Sequence, residues 1–254
     1  MILYVNGDSH SAGAELIENY CFAEDDPNFI HYGRTPHPHA IPKTFGHHLA
    51  EALNKGYFLD AESASSNDRI LRTTKIFLEE KYNKPKTIVI GWSSWEREEL
   101  YHKDRYYQLT ASGTDSVPEE LQDTYKNWVA EQTNDTLRAK QENWHNKIWE
   151  FHQELEQNNI QHLFFNAMQS FKPEWVETRD WGNSYINPYD SNWAFVNWAS
   201  QQGFLPANYG GNHYAEDAHK AWARVLRSRL TNTDNASTIK PRVINSIVQP
   251  MKPR

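Results

Sequence analysis

Ile2-Leu3-Tyr4-Val5-Asn6-Gly7-Asp8-Ser9-His10 is the stretch on which the reading of this chain turns. Residues 2–6 run apolar without the alternation of a half-exposed strand, as expected of a strand covered on both faces. Gly7-Asp8-Ser9 then falls at the carboxyl end of that strand, where open parallel α/β sheets place their sites. A serine there can open the next helix, with backbone N–H groups turned towards a bound oxygen. It can equally be no more than a helix N-cap.

Working outward, residues 57–61, 87–91 and 162–166 are further short apolar runs of the same kind. Between them lie segments of helical period. Residues 42–55 carry Phe45, Leu49 and Leu53 at intervals of four, with Gly56 placed as a C-cap. Residues 67–82 carry Ile70, Leu71, Ile76, Phe77 and Leu78. Strand and helix in alternation predict an α/β fold, a three-layer α/β/α sandwich around a central parallel sheet.

Residues 101–159 read as a polar, largely helical insertion whose Trp144, Ile148, Phe151 and Leu155 form one stripe able to dock on the body. An insertion of that length either covers an active site or merely packs. Residues 171–211 are irregular apart from a short helix near 193–202, and 216–230 form a closing helix with Ala218, Trp222, Val225 and Leu226 on one side. The expected organisation is one domain over 1–231 and a surface-running tail, 232–254, with three prolines.

With 38% hydrophobic and 23% charged residues the chain can bury a core, and its net charge of -7 argues against a nucleic-acid partner. No run approaches the roughly 18 apolar residues of a membrane span. No basic region precedes residues 2–6, so no signal peptide is expected and the location expected is cytoplasmic. Cys21 is the single cysteine, which excludes an intrachain disulfide. His31, His37, His39, His47 and His48 cluster in sequence without a zinc-site spacing, so neither a metal nor another cofactor is expected.

Three more segments gain meaning beside Gly7-Asp8-Ser9-His10. Ala61-Glu62-Ser63-Ala64-Ser65-Ser66-Asn67-Asp68 follows the second run, and Gly91-Trp92-Ser93-Ser94-Trp95-Glu96-Arg97-Glu98 follows the third. Gly210-Gly211-Asn212-His213-Tyr214-Ala215-Glu216 precedes the closing helix. In this order the four segments resemble the sequence blocks of the SGNH (GDSL-like) hydrolases, over residues 2 to about 230. The resemblance implies a serine esterase in which Ser9 is the nucleophile and His213 the base. It also implies an oxyanion hole made by the Ser9 backbone N–H, a backbone N–H near Ser65 and a side-chain amide.

Two departures bear on that expectation. The third block lacks its Asn, which leaves Asn67 as candidate amide donor, or alternatively an N-cap, with Ser94 next in line. The last block has Gly210 where the triad acid belongs, which leaves Asp180 and Asp190 as candidates to fold back onto His213. Trp92 and Trp95, with Trp175, Trp181, Trp193 and Trp198, suit stacking on sugar rings, so the expected partner is a small-molecule or carbohydrate ester such as an O-acetylated sugar. The rival expectation is a carbohydrate-binding or structural protein that keeps the fold after losing the acid.

Overall fold

The computed structural model describes residues 1–27, 34–79, 86–111, 117–208 and 211–232. The chain runs through β1 (Ile2–Gly7), α1 (Ser9–Ala12), α2 (Phe45–Ala52), β2 (Gly56–Leu59), α3 (Asn67–Glu79) and β3 (Lys86–Trp92). It continues through β4 (Glu98–His102), β5 (Arg105–Leu109), α4 (Gln122–Ala130), α5 (Asn134–Gln157), β6 (Gln161–Asn166), α6 (Phe195–Gln201) and α7 (Glu216–Leu230). Four strands make one parallel sheet in the order β2-β1-β3-β6, so β1 is internal.

Alternate residues of β1, β3 and β6 serve two separate cores, which is why those runs are apolar throughout, while the edge strand β2 is only partly covered. Leu3, Val5, Val89, Leu163 and Phe165 face Phe45 and Leu49 of α2, Phe195 and Trp198 of α6, and Trp222 and Leu226 of α7. Tyr4, Ile88, Ile90, Trp92 and Phe164 face Ile70 and Phe77 of α3 and the stripe Trp144, Ile148, Phe151 and Leu155 of α5. The result is the three-layer α/β/α arrangement. Asn6, the polar residue of β1, is buried but satisfied, because its Nδ2 donates to Thr73 Oγ1 at 2.8 Å and to the Ile70 carbonyl at 3.1 Å.

Three boundaries differ from the expectation. β2 starts at Gly56 and ends at Leu59. Gly56 is therefore a strand residue and not a cap; the turn out of α2 is made by Asn54, in the left-handed region at φ 51°. The insertion opens with an antiparallel hairpin, β4–β5, before its helices begin. Lys103 and Asp104 at its tip both have positive φ, 47° and 60°, as a two-residue turn of the primed type requires. Tyr101 and Tyr106 meet across the strands with ring centroids 4.8 Å apart.

The outer edge of β6 is covered: Phe164 N–H donates to the Ser184 carbonyl at 2.8 Å, and Ile186 N–H to the Phe164 carbonyl at 2.9 Å. Among the described residues nothing pairs with the outer edge of β2. The tail beyond residue 232 lies outside the described residues, as does His31. No helix among the described residues is long and apolar enough to cross a membrane.

Burial also sets a pH dependence. It pushes His145 from 6.5 down to about 4 and His219 down to about 3. His219 Nδ1 accepts from the Phe45 N–H at 3.2 Å, a bond that protonation destroys. A histidine held neutral by the fold contributes stability that is complete above its unfolded pKa and is lost as pH falls through the folded one. The melting temperature is therefore expected to decline from about pH 6.5 towards pH 4. His219→Asn, which keeps an acceptor at the Nδ1 position without the proton, should flatten that decline; an unchanged slope in thermal melts would remove His219 from the account.

Candidate active site

The end of β1 is organised by Asp8. Its carboxylate is fully buried and caps α1 by accepting from the His10 N–H at 3.1 Å. The other oxygen accepts from Ser93 Oγ at 3.0 Å and lies 3.5 Å from Arg97 Nη1, a cation able to balance its charge. Asp8, not Ser9, is thus the N-cap, and Ser9 is the first residue of a helix of four. The Ser9 N–H belongs to the first turn, whose donors have no partner within a helix. Gly7 must lack a side chain, because a Cβ there would strike Ser11 Oγ and come within 2.8 Å of the Gly91 carbonyl.

His213 stands beside this turn. Its ring centroid is 4.9 Å from that of His10, the residue following Ser9. His213 Nδ1 lies 3.2 Å from Glu15 Oε1. The contact is an ion-pair approach without good N–H···O alignment, so both His213 Nδ1 and Glu15 Oε2 remain without a directional hydrogen bond. A carboxylate on the Nδ1 side leaves Nε2 as the nitrogen able to take a proton. Burial holds His10 itself at about 4, outweighing the upward pull of Asp8.

The Glu15 contact rests on backbone geometry. Gly13 ends α1 with φ 76°, and Glu15 itself has φ 63°, so the chain reverses within three residues. Glu15 N–H closes the loop onto the Tyr20 carbonyl at 2.7 Å. The His213 loop is tied to it by Asn208 Nδ2, which donates to the Glu18 carbonyl at 2.8 Å, and is closed on itself by Ala207 N–H to the His213 carbonyl at 2.7 Å. Gly211 allows the approach: a Cβ there would stand 2.6 Å from Glu15 Oε2.

The acids named from sequence are engaged elsewhere. Asp180 accepts from the Gly182 N–H at 2.9 Å, and Asp190 caps a short turn through the Asn192 N–H at 3.0 Å. Asp190 also lines a separate recess of about 400 Å³ with Arg179, Trp181, Tyr185 and Tyr189. Glu15 is the carboxylate beside His213, and no sequence signal marked it, because it lies far from the block in which the acid was sought. Gly210 lies outside the described residues.

Asn67 makes a two-point clasp on the end of β3: Nδ2 donates to the Ser93 carbonyl at 3.1 Å and Oδ1 accepts from the Ser93 N–H at 2.8 Å. The helix cap falls to Ser66, whose Oγ accepts from the Arg69 N–H at 3.3 Å. Ser65 N–H is already donated to the Glu62 carbonyl at 3.2 Å, while Ser65 Oγ is buried without a partner. Ser94 Oγ accepts from the Glu96 N–H at 3.2 Å. Arg97 donates to Ser93 Oγ at 3.0 Å and to the Ser65 carbonyl at 3.4 Å, spanning three of the four blocks.

Trp92 and Trp95 require correction as substrate-stacking residues. Trp92 is 1% exposed and packs edge-on against Phe151 and Phe164; Trp95 is buried and stacked on Phe171. Trp181 and Trp198 are core residues as well, which leaves Trp175 and Trp193 half-buried. Of the histidine cluster, His37 pairs with Asp26 at 3.2 Å, while His47 lies near Glu51 and His48 near Glu51 and Glu216.

No family model matches the sequence, and no curated protein matches it. Among solved structures the fold is similar to an acetyl xylan esterase from the rumen bacterium Butyrivibrio proteoclasticus, with a TM-score of 0.40 and 12% identity. That match covers 91% of this chain and 64% of the other, so this chain spans less than two thirds of its length.

The clasp gives a direct expectation. Asn67→Ala strands two backbone groups of a residue only 5% exposed, at about 1–3 kcal/mol each. Urea denaturation should show a loss of about 2–4 kcal/mol. A loss below about 0.5 kcal/mol would mean that the clasp is dispensable.

Proposed function

We propose that this chain is a serine hydrolase of the SGNH type that cleaves esters by acyl transfer, with Glu15 as the residue that orients the base. The observation carrying the reading is the 3.2 Å approach of Glu15 to His213 Nδ1, beside the helix turn that opens with Ser9. Ser9 Oγ gives its proton to His213 Nε2 and attacks the ester carbonyl. Glu15 holds the ring with its proton on Nδ1 and stabilises the imidazolium. The tetrahedral oxyanion is received by the Ser9 N–H, with the remaining Nδ2 hydrogen of Asn67 as the amide donor. His213 then protonates the leaving alcohol, and water repeats the cycle.

The placement of the tryptophans narrows the substrate. With Trp92, Trp95, Trp181 and Trp198 in the cores, an aromatic platform for a long glycan is reduced to Trp175 and Trp193. The reading therefore favours small acyl esters, O-acetylated sugars among them, over extended polysaccharide chains.

A fluorophosphonate should label Ser9 selectively, as read by peptide mass spectrometry, and His213→Ala should slow labelling strongly. Glu15→Gln should keep the fold and lower the turnover of p-nitrophenyl acetate by about 10²–10⁴. Gly211→Ala should act in the same direction by pushing Glu15 aside. Folded protein that gives no adduct at Ser9 over a range of pH would overturn the hydrolase in favour of a binding module.

A further inference from the structure

The only cysteine of the chain lies beside the same pair. Cys21 Sγ is 3.9 Å from Glu15 Oε1, which is 3.2 Å from His213 Nδ1, and one ligand atom from each residue lies within 4.8 Å of the other two. We propose that Glu15, Cys21 and His213 form a binding site for a zinc-class metal ion and that its occupancy switches the hydrolase off. The regulatory half rests on the hydrolase reading above; the metal site does not.

The geometry suits a small tetrahedral ion. Zinc bonds of about 2.0–2.3 Å place neighbouring ligand atoms roughly 3.3–3.8 Å apart. The three atoms reach such spacing through side-chain adjustment of less than about 1 Å. His213 Nδ1 lacks a directional bond of its own, and so does the second oxygen of Glu15, Oε2. The site is also stiff. Glu15 N–H is held by the Tyr20 carbonyl, Cys21 N–H by Asp25 at 2.9 Å and the Cys21 carbonyl by Ser63 Oγ at 2.7 Å, while Asn208 fastens the His213 loop to the same segment. The side chains of Glu15 and His213 are 18% and 17% exposed.

Charge and softness point to the ion. A thiolate, a carboxylate and a neutral imidazole together neutralise a divalent cation, and the thiolate selects zinc over magnesium or calcium. Burial and the neighbouring Glu15 hold the Cys21 thiol up at about 11, so without a metal the cysteine is a quiet neutral thiol. A cation replaces that repulsion with attraction, and the thiol proton leaves to solvent as the Zn–S bond forms. Three protein ligands leave a fourth position for water.

Inhibition follows from the tautomer. In the active form the imidazole proton sits on Nδ1 against Glu15, and Nε2 is the base. A metal on Nδ1 takes the place of that proton, so the single imidazole hydrogen must reside on Nε2. Nε2 then has no lone pair for the Ser9 proton, and Glu15 is withdrawn from orienting the ring.

The test uses the whole chain, freed of metal with a chelator. Zinc is titrated against a chromogenic chelator, cobalt(II) absorption reports thiolate ligation, and p-nitrophenyl acetate hydrolysis is followed in parallel. One equivalent of zinc should bind, cobalt should give a thiolate charge-transfer band, and hydrolysis should fall about 10²-fold as the site fills. Magnesium and calcium should do nothing. Cys21→Ser and Cys21→Ala, each compared with its own metal-free rate, should bind zinc at least about 10-fold more weakly and resist it equally. Absence of the cobalt–thiolate band, or zinc binding unchanged in both variants, overturns the metal site. Zinc binding with the band, in a protein that neither hydrolyses ester nor labels at Ser9, upholds the metal site and sinks the hydrolase and its switch. A band with full hydrolysis at saturating zinc overturns the switch.

Discussion

Everything at the functional end of the sheet hangs on one buried carboxylate. Asp8 is fully buried, and its two oxygens take up the start of α1, the hydroxyl of Ser93 and the guanidinium of Arg97. A buried charge is tolerable only when it is paired and hydrogen-bonded, so these partners are held in place by the cost of leaving it exposed to an apolar interior. That requirement fixes α1 against the end of β3 and draws Arg97 across the loops that carry Ser65 and Ser93. It also sets the direction of the short helix that begins with Ser9. The glycines at 7 and 91 make the approach sterically possible.

Beyond that knot the arrangement depends on two loops meeting. One reverses directly after α1 and presents Glu15; the other precedes α7 and presents His213. The carboxylate comes from the first loop after β1 and not from the block that holds the histidine. Ser9 and Glu15 therefore lie on one stretch of chain, six residues apart in sequence, while His213 arrives from the far end of the chain. The Asn208–Glu18 bond ties the two loops together.

The fold was readable because β1, β3 and β6, buried on both faces, show no alternation, and the four runs all became neighbouring parallel strands. The stripe from Trp144 to Leu155 was readable for the same reason, as an apolar line at helical spacing that had to be covered. The hairpin at 98–109 was not, since Lys103-Asp104 is not one of the pairs that advertise a two-residue turn. Nor was Glu15 readable: its proximity to His213 is created by two left-handed residues and by a contact spanning almost the whole chain. The tryptophans misled because a ring that can stack on a sugar can equally fill a core, and composition alone does not distinguish them. Asn67 shows a different limit, since a polar residue at a strand end has several uses and only its partners reveal that it clasps Ser93.

The uneven treatment of the sheet's two borders has a consequence for how the protein behaves at high concentration. β6 is bordered by the segment around Ser184 and Ile186, whereas among the described residues β2 offers its backbone outward along four residues. Phe58 in its middle is half exposed, at 49%. An unpaired strand edge is a template for joining another chain, and shortness is one of the means by which proteins keep it harmless. Within the four-stranded sheet, pairing with another chain is thereby directed to β2.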